Sequence, residues 1–97
     1  MNRKVLVSSG AAADLQRLEA FLVGRSPEAA VNAIDSILDA IASLTEFGDR
    51  GAPGDPPGTR NLFIPFGRGA YALNYRADDH EVVVARIFHS LEDRPLA

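Results

Sequence analysis

An almost uninterrupted apolar segment near the C-terminus constrains this chain more than any other feature. Residues 81–88 contain the run Val82-Val83-Val84-Ala85, a pattern typical of a strand that is buried on both faces. Such a strand needs cover on both sides, so we expect residues 81–88 to be central in a sheet. The chain has 97 residues, which suffices for one core, and we treat 1–97 as a single domain.

Helix caps and apolar periodicity predict the first half of the chain. Residues 3–8 form a short β-branched strand. The run Ser8-Ser9-Gly10 then offers N-cap oxygens for a helix that begins near Ala11 and that Gly24 is placed to end. The pair Ser26-Pro27 begins a second helix. Because few residues separate the two helices, they must double back as an αα-hairpin.

A loop and three strands are predicted for the second half. Gly or Pro occupies seven of the eleven positions in 48–58, a density that no helix or central strand tolerates. Residues 59–66, 70–77 and 81–88 follow as an antiparallel meander, and the N-terminal strand pairs in parallel beside the last one. The predicted fold is α+β with the order β-α-α-β-β-β, a four-stranded, mainly antiparallel sheet with a helical hairpin on one face.

Composition excludes several kinds of site. The chain contains no cysteine, which excludes disulfides, thiolate metal sites and a cysteine nucleophile and suits the reducing cytoplasm, where we expect the protein. The two histidines, His80 and His89, lack the paired spacing of a zinc site, so we expect no metal and no other cofactor. The apolar run Val5-Leu6-Val7 is too short to span a membrane. The net charge of −3 does not indicate a strongly basic nucleic-acid-binding fold.

Arginines inside the predicted strands are the candidate binding groups. There are three: Arg60, Arg76 and Arg86. Arginine within a strand is unusual unless its side chain reaches solvent, a carboxylate or a ligand. Ion pairs with Asp78, Glu81 or Glu92 on an open sheet face would explain Arg60 and Arg76. Together with His89 and Arg94, the set would instead form an anion-binding face for an RNA phosphate or for an acidic segment of a protein partner.

The second predicted helix carries a wide apolar stripe. Its members are Val31, Ile34, Ile37, Leu38, Ile41 and Leu44. Packing against the sheet explains most of the stripe. Its width is also consistent with a groove that accepts a helix of a partner. Ile37, Ile41 and Leu44 are therefore candidates both for the core and for partner binding.

Several short segments occur in a characteristic order along nearly the whole chain. They are Ala13-Asp14-Leu15, Ala29-Ala30, Ile41-Ala42-Ser43-Leu44, Gly58-Thr59-Arg60-Asn61-Leu62, Tyr71-Ala72-Leu73-Asn74-Tyr75-Arg76 and Val82-Val83-Val84-Ala85-Arg86-Ile87-Phe88-His89. In this order and spacing the sequence resembles the RelE/ParE superfamily of bacterial type II toxins. The resemblance implies a toxin encoded beside a cognate antitoxin, whose disordered C-terminal segment folds on the toxin to give a hetero-oligomer.

The resemblance implies one of two activities. ParE-like members inhibit DNA gyrase and have no known catalytic site, whereas RelE-like members are metal-independent endoribonucleases that cleave mRNA on the ribosome. Cleavage needs a base, cations for the phosphate and an acid. In a RelE-like protein, Arg60, Arg76 and Arg86 would be the cations and His89 the acid or base.

Sequence features favour the ParE-like activity. The RelE-like C-terminal tyrosine has no counterpart, because Ser90 and Leu91 follow His89. Lys4 is the only lysine and the net charge is negative, whereas a ribosome-binding nuclease is expected to be basic. The ending His89 to Asp93 matches the His-x-x-x-Asp common among ParE-like members. We therefore expect a non-enzymatic gyrase inhibitor, with the RelE-like mRNA interferase as the alternative. The predicted partner-binding residues are Ile37, Ile41, Leu44, Arg60, Arg76, Arg86 and Arg94.

Overall fold

Two helices and five strands make up the computed structural model, which describes residues 2–90. In chain order they are β1 (Lys4–Val7), α1 (Ser9–Val23), α2 (Pro27–Ser43), β2 (Ala52–Pro53), β3 (Arg60–Phe66), β4 (Gly69–Ala77) and β5 (Glu81–His89). The strands form one mixed sheet in the order β1-β5-β4-β3-β2. The predicted α+β fold class is confirmed.

The apolar strand β5 lies between β1 and β4, as its sequence predicts. β1 runs parallel to it, with Val5 opposite Val82 and Val7 opposite Val84. β4 runs antiparallel on the other side. Val82, Val84 and Ile87 have no exposed surface. The parallel pairing requires a crossover, and the helical hairpin supplies it.

Both helices begin at the predicted caps. The Ser8 side chain accepts a hydrogen bond from the Ala11 N–H, and Ser26 accepts one from the Ala29 N–H. Gly24 ends α1, but with φ −64°, in the right-handed region rather than the left-handed conformation common at glycine caps. Neither helix within residues 2–90 has the length and apolarity needed to cross a membrane.

One side of the sheet and the helical hairpin enclose the core. Its buried members are Ala11, Leu18, Ala33, Ile37, Ile41, Leu44, Leu62, Tyr71, Leu73, Tyr75, Val82, Val84 and Ile87. Ile37 and Leu44 have no exposed surface and Ile41 is 8% exposed. This corrects the expectation that Ile37, Ile41 and Leu44 line a partner groove, because the chain's own sheet already covers them.

The Gly/Pro-rich segment 48–58 adds a strand that the sequence does not predict. Ala52 and Pro53 pair with Asn61 and Arg60, which gives the sheet a fifth, two-residue edge strand. The Gly51 N–H donates a 2.9 Å hydrogen bond to the Tyr75 hydroxyl. A Cβ at Gly51 would lie 2.7 Å from that hydroxyl oxygen, so only glycine fits this close approach.

Alanine substitutions on α2 test which residues of its apolar stripe lie in the core. We expect Ile37→Ala to lower the free energy of unfolding by about 2–5 kcal/mol, because it leaves a cavity in the core. Leu38→Ala is the matched control: its side chain is 47% exposed, and we expect a loss below about 1 kcal/mol. Urea denaturation measures both values, and equal losses would contradict this assignment of the stripe.

Candidate functional site

A buried carboxylate joins α1 to β5. Asp14 is 4% exposed, and both of its oxygens accept hydrogen bonds. Oδ2 accepts from Arg86 Nε and from the Ile87 N–H, both at 2.8 Å. Oδ1 accepts from Arg86 Nη2 and from Arg17 Nη2, each at 3.2 Å. The two bonds from Arg86 form a bidentate pair, the strongest arrangement of these two groups.

The hydrogen bonds of Asp14 with Arg86 and Ile87, which we call the clamp, lie where β5 has a neighbouring strand on one side only. β1 ends at Val7, opposite Val84, so beyond that point β5 is paired with β4 but has no strand along its other edge. Side chains of α1 and its cap occupy the vacant positions instead. Ser8 Oγ donates to the Ala85 carbonyl at 2.9 Å, and Arg17 Nη2 donates to the Ile87 carbonyl at 3.4 Å. With Asp14 on the Ile87 N–H, these contacts satisfy backbone groups that a buried strand cannot leave unpaired.

The surroundings of Asp14 favour its ionised form. Burial acts to raise the pKa of the Asp14 carboxyl, but hydrogen bonds from Arg86, the Ile87 N–H and Arg17 outweigh it. The net result is a pKa below the ordinary value of 3.8. Asp14 is thus a charged structural group across the neutral pH range.

The strand arginines that were proposed as one binding set make different contacts. Arg86 pairs with Asp14, and its guanidinium carbon also lies 5.1 Å from the centre of the Phe88 ring. Arg60 Nη1 donates to the Gly51 carbonyl at 2.9 Å and to the Asp49 carbonyl at 3.2 Å. Arg60 therefore holds the 48–58 segment, and within residues 2–90 no carboxylate forms an ion pair with it.

The remaining predicted groups differ in exposure. Arg76 is exposed on β4. Asp78, one of the three carboxylates suggested as ion-pair partners, accepts hydrogen bonds from the N–H groups of Glu81 and His80 in the β4–β5 turn, which lower the pKa of Asp78. His89 is half-buried and makes an edge contact with the Tyr71 ring, with centroids 5.0 Å apart. Arg94 lies outside the described residues.

The sheet register separates the four candidate catalytic residues. Arg60 lies opposite Tyr75 and His89 opposite Tyr71, four positions apart along β4, or about 13 Å at roughly 3.3 Å per residue. Arg86 lies opposite Asn74 and Arg76 opposite Val83, on the other face, because side chains alternate along a strand. The four groups do not converge on one point.

A groove that sequence reasoning missed lies between α1 and the β3–β4 turn. Its volume is about 580 Å³, within the usual range for ligand sites. It is lined by Arg17, Leu18, Phe21, Leu22, Arg25, Phe66, Gly67, Arg68, Tyr71 and His89. We call this the α1 groove. Phe21, on α1, is 59% exposed beside it. The local signal in the sequence is that Arg25 follows Phe21 by four residues, just beyond the end of α1.

Comparison with known proteins identifies the family to which this chain belongs. The family model described as the ParE toxin of the type II toxin-antitoxin system parDE matches residues 5–94. The chain is 44% identical over 94 residues to Toxin RelE1 of Caulobacter vibrioides, covering 97% of this chain and all of that protein. It is 42% identical over 81 residues to Toxin RelE3 of the same organism, covering 84% and 87%.

Solved structures show the same fold. A chain of the chromosomal ParDE TA system from P. aeruginosa superposes with a TM-score of 0.75 at 27% identity, over 90% of this chain and 95% of that one. The toxin-antitoxin complex RelBE2 from Mycobacterium tuberculosis gives a TM-score of 0.65 at 24% identity, over 92% and 99%; at that identity it shows the fold alone.

A helical hairpin packed on a five-stranded mixed sheet is thus the architecture of the RelE/ParE toxin superfamily. This chain belongs to the ParE toxin family of type II toxin-antitoxin systems. The superfamily expected from the sequence is confirmed.

Removal of the Asp14 charge tests the clamp. We expect Asp14→Asn to lower the free energy of unfolding by about 1–3 kcal/mol at pH 7, because a buried N–H and a guanidinium lose a charged acceptor. The pH dependence has a definite sign. Because the folded pKa is lowered, the stabilisation is fully present above about pH 4 and is lost as pH falls through the folded pKa.

Denaturation profiles between pH 2 and pH 7 check this expectation. The variant should lack the part of the acid dependence that Asp14 contributes. Asp35→Asn, at an exposed position of α2, is the control and should match the wild type. An Asp14→Asn profile parallel to that of the wild type would contradict the lowered pKa.

Proposed function

We propose that this toxin acts by binding and blocking DNA gyrase, without catalysis, and that a cognate antitoxin neutralises it by forming a hetero-oligomer. The family match to ParE supports this proposal. The antitoxin partner is supported by the structural neighbour from a ParDE toxin-antitoxin system.

The dispersal of the cationic groups is the observation that carries the non-enzymatic proposal. RNA cleavage without a metal needs a base, a cation and an acid within hydrogen-bond reach of the same phosphate. Here Arg60 and His89 lie on strands on either side of β4 and are offset by about 13 Å along the strand direction, and Arg86 is paired with Asp14. Geometry of this kind suits a rigid scaffold that presents surfaces to a protein better than it suits a nuclease.

The alternative is an mRNA interferase, and the names of two relatives favour it. Toxin RelE1 and Toxin RelE3 carry the RelE name at 44% and 42% identity. For that activity, Arg76 is the exposed cation and His89 the titratable group of the original candidate set. The sheet register places Arg76 and His89 on opposite faces of the sheet. For both to act on one phosphate, binding to mRNA and the ribosome would have to bring the two side chains together.

A pair of assays on the same purified toxin separates the two activities. We expect the toxin to inhibit ATP-dependent supercoiling of relaxed plasmid by gyrase and to leave cleaved DNA when the reaction is stopped with detergent. In a translating extract, primer extension should show no new cuts in mRNA. Normal supercoiling at molar excess of toxin, together with cuts at codon positions, would overturn the proposal in favour of the interferase.

Two variants make the comparison sharper. His89→Ala and Arg76→Ala remove the candidate acid or base and the exposed cation, and a binding toxin with no catalytic need for them should keep most of its gyrase inhibition. A nuclease should lose most of its cleavage, because each such group commonly contributes a factor of about 10² or more. Circular dichroism and retained antitoxin binding establish that the toxin used is folded.

A further inference from the structure

The outward side of α2 carries a row of apolar side chains that the fold leaves exposed. Val31 and Leu38 are 60% and 47% exposed, and because they are seven residues apart, about two helical turns, they lie on the same side of the helix. Ile34, half-buried between them, and the exposed Ala42 continue the row. A depression of about 430 Å³ at its N-terminal end is lined by Pro27, Glu28, Val31 and Asn32. Continuous apolar surface of this kind marks interaction sites more often than scattered exposed residues do.

A row of acidic side chains runs beside the apolar row. Glu28, Asp35 and Asp39 are exposed on α2, and their spacings of seven and four residues place them on one side of the helix. α2 contains no lysine or arginine, so these three carboxylates equal the whole net charge of −3. Within residues 2–90 none of the three forms an ion pair. We call the apolar and acidic rows together the α2 face.

The spread of these charges indicates which kind of ligand fits. Asp39 follows Glu28 by eleven residues, or about 16 Å along the helix axis at roughly 1.5 Å per residue. One metal ion cannot bind both, and no group of three metal-ligating side chains occurs among residues 2–90. Nucleic acid carries the same sign of charge as the face, so its phosphates would be repelled. Two copies of this chain that met through their α2 faces would likewise bring like charges together.

A protein surface that carries lysine or arginine around apolar side chains matches both rows. Its cations would pair with the carboxylates, and its apolar side chains would pack on Val31 and Leu38. An enzyme that acts on DNA presents such basic surfaces, because it binds phosphates through lysine and arginine. Exposed ion pairs contribute little affinity each, so the apolar contact would supply most of the affinity and the charges would set orientation and association rate.

We infer that the α2 face is the surface through which the toxin binds gyrase, by docking on a basic region of that enzyme. This inference rests on the proposed function, because it names the part of the toxin that contacts the target. Ile37 and Ile41, on the opposite side of α2, are buried in the core. The helix is therefore fixed on the sheet and the face is formed before binding, which lowers the entropic cost of association.

Charge reversal on the acidic row tests the inference, with binding of purified toxin to purified gyrase measured by biolayer interferometry in the absence of DNA. We expect Asp35→Lys combined with Asp39→Lys to raise the dissociation constant at least about tenfold, because each reversal brings like charges together. Binding of the wild type should weaken as salt is added, and binding of the variant should depend on salt less steeply. The toxin concentration that half-inhibits supercoiling should rise by a similar factor.

Truncation of the apolar row tests the other half of the contact. Val31→Ala combined with Leu38→Ala should weaken binding to gyrase but keep the salt dependence of the wild type, because the charges remain. Asp79→Lys is the matched control: it makes the same charge change as Asp35→Lys alone, at an exposed position in the β4–β5 turn, and should leave the affinity close to that of the wild type. Thermal unfolding of each variant verifies that the fold is intact.

The possible outcomes separate the inference from the proposed function. If the wild-type toxin neither binds gyrase nor inhibits supercoiling, the proposed function fails, and the inference with it. If the wild type does both and the α2 variants match it, gyrase inhibition stands and the assignment of the α2 face is wrong. Two further results would also overturn the inference when gyrase binding is unchanged: loss of antitoxin binding by the variants, or a change in self-association of the toxin alone.

Discussion

The Asp14 carboxylate is the interaction on which the arrangement of this protein depends. It is buried between α1 and β5 and accepts hydrogen bonds from Arg86, the Ile87 N–H and Arg17. β5 needs this group because β1 is too short to pair with its second half. A helix side chain therefore completes the sheet edge, and the same contact fixes how α1 lies on the sheet. Loss of the carboxylate would remove the acceptor that the Arg86 guanidinium and the Ile87 amide share at one point of the core.

The clamp also determines which charges are available at the surface. Arg86 extends from the strand that first suggested a site, but its guanidinium serves the fold. Arg60 likewise serves the fold by holding the 48–58 segment through backbone carbonyls. The arginines that face an open cleft are Arg25 and Arg68, on the turns at either side of the α1 groove. Two of the three strand arginines, Arg60 and Arg86, thus support the architecture, whereas Arg25 and Arg68 lie in turns at the rim of the α1 groove.

Much of the architecture could be predicted from the sequence because local rules agree with it. Apolar runs and caps at Ser8 and Ser26 give the helices and the central strand. The short turns give the antiparallel meander. The strand β2 was missed because two residues with proline carry no periodic signal; its position depends on pairing with β3.

The site was less predictable, for physical reasons. Asp14 was visible only as part of a family segment, since its partner Arg86 is 72 residues away and no spacing rule connects them. The α2 stripe was wide enough for two interpretations, and only the packed structure shows that Ile37 is buried in the core. The α1 groove is formed by a helix and a distant hairpin turn, so no local pattern describes it. Phe21 illustrates the difficulty: it follows the buried Leu18 by three residues on α1, yet it is exposed at the groove.

The most direct test of the Asp14 clamp is an NMR titration of the Asp14 carboxyl carbon together with the Ile87 amide proton. We expect both signals to titrate with one midpoint below the ordinary carboxyl value of 3.8, because the ionised carboxylate accepts the Ile87 N–H while paired with Arg86. A carboxyl midpoint at or above that value, or an Ile87 amide that does not respond, would contradict it. The charged pair of Asp14 and Arg86 would then not be what organises this edge of β5.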